Sequence, residues 1–262
     1  MKVIAVDWSG RAGADQAESI WVACAAGGRL LSLRNGLRRE EVVASLLQEA
    51  GAVTVGLDFA FSLPAWWLAE RGFADVRSLW RFLAAGGAET LIAGREAPFW
   101  GTRGSLALPL ERRFRRTESR LRAAGLPAKS VFQLAGPGAV GVGSLRGMPL
   151  LLDLAASFSV WPFDPPSPRQ VVEIYPRALT GPVDKGRWTT RHAYLEERFP
   201  LVDPALRERA AGSQDAFDAA VSALVMATAP IPPLPQATDP TELLEGRVWL
   251  PADQRSSRSA GC

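Results

Sequence analysis

Apolar, β-branched runs that end on single acids dominate the first sixty positions of the chain. KVIAVDW (2–8), ESIWVACA (18–25) and residues 29–34 read as three strands with short polar or glycine-rich connections, an antiparallel meander. Residues 38–50 change period: Val42, Val43, Leu46 and Leu47 fall on one face of a helix. VTVGLD (53–58) then returns to a short buried strand. A helical crossover joins parallel neighbours, so the strands on either side of this helix are expected to run parallel.

Periodicity weakens between 59 and 157. Helices are expected near 64–71 and 75–85, an ordered loop over 94–110, and a basic helix over 111–124 with Phe114, Thr117 and Leu121 on one side. Residues 135–149 read as a glycine-rich loop and 150–156 as a short helix or strand. WPFDPPSPR (161–169) is a rigid turn, and QVVEIY (170–175) a buried strand stopped by Pro176. Helices follow near 188–199 and 204–211, and a strong one from Ser213 to Ala227. Beyond Pro230 the chain is Pro-rich and then Ser/Arg-rich, with its last ten residues expected to be disordered. The organisation expected is one α/β domain over 1–229 with a helical insertion at about 64–157, and a tail over 230–262.

Composition narrows the setting. Two distant cysteines, Cys24 and Cys262, argue against a disulfide framework, and no stretch is long and apolar enough to span a bilayer. The expected compartment is the cytoplasm. Net charge is +3, but Arg95–Arg122 carries eight arginines against three glutamates, or 8 − 3 = +5. Such a segment suits a polyanionic partner, with Arg103, Arg112, Arg113, Arg115 and Arg116 as phosphate contacts; the alternative is a solvated helix face.

The chemistry lies in the acids. Asp7 closes VIAVD before a Trp-Ser-Gly turn, either as a functional carboxylate or as an Asx turn, with Gly10 expected to leave space beside it. Asp58 repeats the design before FAFSLP and lies too far upstream to cap the helix near Pro64. Glu173, inside VVEIY, must be paired, metal-bound or on an edge facing water. Asp215 and Asp218 share one face of the last helix, with Ala216, Ala219 and Ala223 small enough for close approach to a sheet. Asp215 alone is explained by the helix dipole. Converging carboxylates repel unless a divalent cation neutralises them, which makes metal-assisted phosphate chemistry the leading reading.

The order VIAVDWSG, VGLDFAFSLP, VVEIYP and SQDAFDAAVSALVMA, with RRTES, VFQLAGPGAVGVGSLRGMP and VWPFD between, resembles the family of predicted nucleases with a ribonuclease H-like fold, domain-of-unknown-function family 429. The resemblance runs to about residue 229. It implies a mixed sheet of three antiparallel strands extended by parallel ones, with helices on both faces. It also implies two Mg2+ or Mn2+ ions held by Asp7, Asp58 and the pair Asp215/Asp218, one ion between Asp7 and the helix acids and one between Asp7 and Asp58. Glu173 is placed with the catalytic residues without a firm counterpart in the family. The implied activity is metal-dependent phosphodiester hydrolysis on nucleic acid. Two rivals stand beside it: an ATP-dependent phosphotransferase of the actin-like or sugar-kinase-like type, and a non-catalytic nucleic-acid-binding protein on the same fold.

Other motifs weigh less. His192 is the single histidine, expected on an exposed helix face, which leaves no Ser-His-Asp mechanism and no structural zinc site. GPGAVG (136–141) matches G-x-G-x-x-G, but no helix of proper length is expected to open from it. Most of the nine tryptophans are expected in packing rather than base stacking.

Overall fold

Val3 and Ala5 pack into one apolar cluster while Ile4 and Val6 pack into another, so β1 (Lys2–Asp7) is buried on both faces. That explains a strand with no polar alternation. In the computed structural model, which describes residues 1–94, 97–101, 108–228 and 231–251, β1 sits inside a six-stranded mixed sheet. β2 (Trp21–Ala26) and β3 (Arg29–Arg34) follow it antiparallel, turned by Gly27 and Gly28, both with positive φ as a two-residue hairpin needs. A short helix, Asp15–Ser19, takes the place of the expected start of β2.

The Arg39–Leu47 helix crosses over and delivers β4 (Val53–Leu57) parallel to β1. β6 (Arg169–Glu173) lies parallel to β4, and β5 (Ser159–Val160), unforeseen in the sequence, closes the edge. The order is β3-β2-β1-β4-β6-β5. Val6 pairs with Leu57, and Leu57 with Glu173. Asp7, Asp58 and Glu173 therefore emerge side by side at the carboxyl ends of parallel strands, where open α/β sheets form their crevices.

Between β4 and β5 the described chain is helical, with Ala65–Glu70, Val76–Phe82, Ala88–Gly94, Arg116–Ala123, Gly141–Gly147 and Leu151–Leu154. The basic helix starts five residues later than expected, because a 3-10 turn at Leu110–Arg112 precedes it and Glu118 caps the Arg115 N–H at 2.8 Å. On the opposite face of the sheet, Gln214–Thr228 lies across β1, β2 and β3, with Ser213 Oγ capping Ala216 N at 3.0 Å. Its alanines meet Ala5, Ala23 and Ala25 in one cluster. The approach is close: a Cβ on Gly56 would stand 2.7 Å from Met226 Sδ.

The domain does not end at 229. Ile231 and Trp249 are buried, Trp249 N donates to Glu173 O at 2.8 Å, and Val248 bridges beside Glu173. Gln170 holds the proline run in place, donating to Pro232 O at 3.0 Å and accepting from Leu234 N at 2.9 Å. Prolines forbid helix here but not extended packing. The expected disorder of the last ten residues falls outside the described residues. No helix among the described residues is long and apolar enough to cross a membrane.

Candidate active site

Asp7 ends β1 at 8% exposure, and the turn after it is rigidly held. Arg39 Nη1 donates to Ser9 O at 2.9 Å and Arg11 O at 2.8 Å, Arg146 Nη1 reaches Gly10 O at 2.5 Å, and the Trp8 ring packs 4.9 Å from Phe59. Gly10 does not leave free space: the Gly141–Gly147 helix fills it, and a Cβ there would lie 2.7 Å from Gly143 N. The glycine-rich loop does open into this helix, contrary to the expectation. Its glycines serve packing, since a Cβ on Gly147 would press on the Phe59 ring at 2.8 Å.

Asp58 follows β4 with its N–H bonded to Val6 O at 3.0 Å, which fixes it beside Asp7. Its turn is anchored by Ser144 Oγ on Ala60 N at 3.0 Å and Glu173 Oε2 on Phe61 N at 3.0 Å. No described residue donates a hydrogen bond to the carboxylate of Asp7 or Asp58, so the Asx-turn reading of Asp7 is set aside. Burial, then the charges of Asp58 and Asp218, hold the Asp7 carboxyl well above the ordinary range; burial and Asp218 do the same to Asp58.

The last helix brings the remaining pair. Asp218 is buried, and Asp215 sits exposed in the first turn; both carboxyls are raised, chiefly by loss of water around them. Lys185 Nζ lies 2.5 Å from Asp218 Oδ2, and its charge opposes the upward shift of all four aspartates. Asp218 Oδ1 is buried without a partner. Arg11 acts on Asp215, and Arg177 on Asp218. Sequence reasoning missed Lys185, Arg177 and Arg11, because single basic residues in loops or in a helix as short as Pro176–Thr180 carry no periodic signal.

Of the three readings open to it, Glu173 takes the paired one. It is neither on an edge nor free for an ion, but 3% exposed on a strand between β4 and β5, with its carboxylate paired to Arg115. Burial raises its carboxyl, and Arg115 opposes the rise. Arg115 is fully buried, its fork shared between Glu118 and Glu173, with Nη1 also donating to Glu245 O at 2.8 Å. Burial works against its charge, but the two glutamates overcome that and hold it protonated.

Arg115 therefore cannot meet a phosphate, and its neighbours, though part-exposed, are engaged by partners within the chain. Arg112 stacks 3.8 Å over Trp66 and pairs with Glu70. Arg113 Nε donates to Leu108 O at 2.7 Å, and Arg116 Nη1 to Asp239 Oδ2 at 2.9 Å. Arg103 lies outside the described residues. The local excess of charge in the sequence is met by acids from elsewhere in the chain. His192 is half-buried rather than exposed, stacked on Trp188 and 3.3 Å from Glu208.

A narrow cleft opens beside Asp58, walled by Leu121, Val140, Ile174 and Tyr175, with Lys129 in its lining. Among the described residues no three Asp, Glu, His or Cys side chains are disposed to hold one metal ion. The donor set still fits a hard divalent cation: carboxylate oxygens only, two carboxylates without hydrogen-bond donors and one orphaned buried oxygen, on Asp218. No family model matches the chain, and neither a curated protein nor a solved structure is found to be similar to it.

Proposed function

We propose that this protein is a divalent-metal-dependent phosphodiester hydrolase on a ribonuclease H-like fold, acting on nucleic acid. One observation carries the reading: Asp7, buried, and Asp58, half-buried, stand at the ends of adjacent parallel strands with no hydrogen-bond donor among the described residues, and Asp218 acts on both from the helix that lies across β1. Burying like charges this way costs several kcal/mol unless a cation joins them. The three antiparallel strands followed by parallel β4 and β6, with helices on both faces, support the fold assignment.

Asp7 and Asp58 would hold Mg2+ or Mn2+, with the Asp215/Asp218 pair completing the acidic wall beside them. Such an ion, when bound, lowers the pKa of a coordinated water and stabilises charge on a phosphoryl oxygen. Lys185 Nζ donates to Asp218 Oδ2, and its charge opposes the upward shift that burial imposes on that carboxyl. Phe59, packed against the buried Trp8 ring, supplies an apolar lining to the cleft beside Asp58. Lys129 lines the cleft, and the charges of Arg11 and Arg177 act on Asp215 and Asp218; these cations would take the role of phosphate contacts that the buried Arg115 cannot fill.

The test is hydrolysis of bis(p-nitrophenyl) phosphate and of labelled DNA, RNA and hybrid strands, with Mn2+ or with EDTA. Turnover that needs Mn2+ and falls at least about 100-fold in Asp7→Asn is expected. Turnover that survives both EDTA and Asp7→Asn, or no turnover on any of these substrates, overturns the reading.

A further inference from the structure

Resting on that reading, we infer that Lys185 serves as the resident cation of the Asp215/Asp218 half of the cleft, so that the chain takes up one divalent ion, at Asp7 and Asp58, rather than two. Lys185 is a built element rather than a passing surface lysine. Its backbone carbonyl is gripped by Arg191 Nη1 at 2.5 Å, and Arg191 is itself buried and bonded through Nε to Ala211 O at 2.8 Å. Asp184 Oδ1 accepts from Gly186 N at 2.9 Å and sets the turn on which Lys185 stands. Two neighbouring elements thus fix the stem from which the ammonium reaches Asp218.

The position it reaches matters. Its side chain is 20% exposed and that of Asp218 13%, so the pair is formed largely out of water, where an ammonium close to a carboxylate binds strongly. An ion ligated by Asp218 Oδ2 would have to displace the ammonium, and the charges of Arg177 on Asp218 and of Arg11 on Asp215 already offset those acids. Asp7 and Asp58 have no such occupant, and the cation nearest to relieving them is again Lys185. One half of the cleft is neutralised by the chain, and the other is left for an ion.

The test counts ions, not turnover. Mn2+ is titrated calorimetrically into the full-length wild-type protein, Lys185→Met and Lys185→Arg, with circular dichroism to verify folding. EPR adds a second readout, since two Mn2+ ions about 4 Å apart couple magnetically while one does not. One ion in the wild type and in Lys185→Arg, and two coupled ions in Lys185→Met, is the expected result. Two ions in the wild type, or still one in Lys185→Met, overturns the inference while leaving the metal-dependent reading standing. No Mn2+ in any of the three overturns both. If Lys185→Met does not fold, Lys185→Arg with more than one ion overturns the inference by itself.

Discussion

The ammonium of Lys185 lies 2.5 Å from Asp218 Oδ2, whereas the neighbouring Asp7 carboxylate accepts no hydrogen bond from any described residue. Two acids of one cluster should therefore respond oppositely to neutralisation. In metal-free protein, Asp7→Asn removes a repelled buried charge and is expected to raise Tm, by about 2–4 °C per kcal/mol regained. Asp218→Asn strands a largely buried ammonium and is expected to cost about 1–3 kcal/mol. Differential scanning fluorimetry in EDTA checks both signs, and a fall in Tm for Asp7→Asn would contradict the geometry.

The same shifts set a pH dependence. In the unfolded chain aspartates titrate near about pH 3.9, while Asp7 and Asp58 are held well above that in the fold. Below the unfolded value both states are protonated and the stabilisation from holding these protons is complete. As pH rises through the folded values it is lost, so metal-free stability should decline from about pH 4 upward. Urea midpoints measured across this range in EDTA check the slope, which should flatten in the Asp7→Asn/Asp58→Asn double variant. Mn2+ should remove the decline as well.

Arg115 is a third point of leverage. Arg115→Met leaves Glu118 and Glu173 buried without their shared partner, and breaking such a pair costs about 3–5 kcal/mol. Adding Glu118→Gln and Glu173→Gln to Arg115→Met should recover part of the loss, because neutral amides are cheaper to bury. Chemical denaturation of the single and triple variants measures the difference. A single variant as stable as the wild type would show that Arg115 is not the buried counter-ion described above.

Gly56 tests the close seat of the last helix. A Cβ there meets Met226 Sδ at 2.7 Å and Ile174 Cγ2 at 2.8 Å. Gly56→Ala should cost about 1–3 kcal/mol by overpacking. Because Asp218 rides on the displaced helix, Mn2+ affinity should change with it; calorimetry reads that second effect.

Much of this arrangement was legible in the chain. Val42, Val43 and Leu46, spaced for a helix, and the apolar runs before Asp7 and Asp58 fixed the order of elements, since each is a local pattern with a local cause. Asp7, Asp58 and Asp218 could be grouped because strand ends and a helix face converge in any such sheet. Three positions could not be decided locally, for one shared reason. Arg115 looked like a phosphate contact, Glu173 stood open between a pair, a metal ion and an edge, and the segment after Pro230 looked like a tail. Each is decided by a partner more than fifty residues away: Arg115 by Glu173, Glu173 by Arg115, and the segment by Gln170 and Glu173. Long-range pairing of polar groups has no period to read. β5, two residues long, was too short to carry one.

Glu245 gives the late part of the chain an unexpected reach. Its Oε1 accepts from Ala65 N at 2.7 Å and its Oε2 from Arg116 N at 2.6 Å, capping the first turns of two helices from the insertion, while its carbonyl receives Arg115. A nascent chain still short of this residue has every strand of the sheet synthesised but leaves two helix ends unsatisfied and Arg115 short of one acceptor. Completion of the domain thus waits for Glu245 to emerge from the ribosome, and a copy terminated before it would present its loosened insertion to cellular proteases.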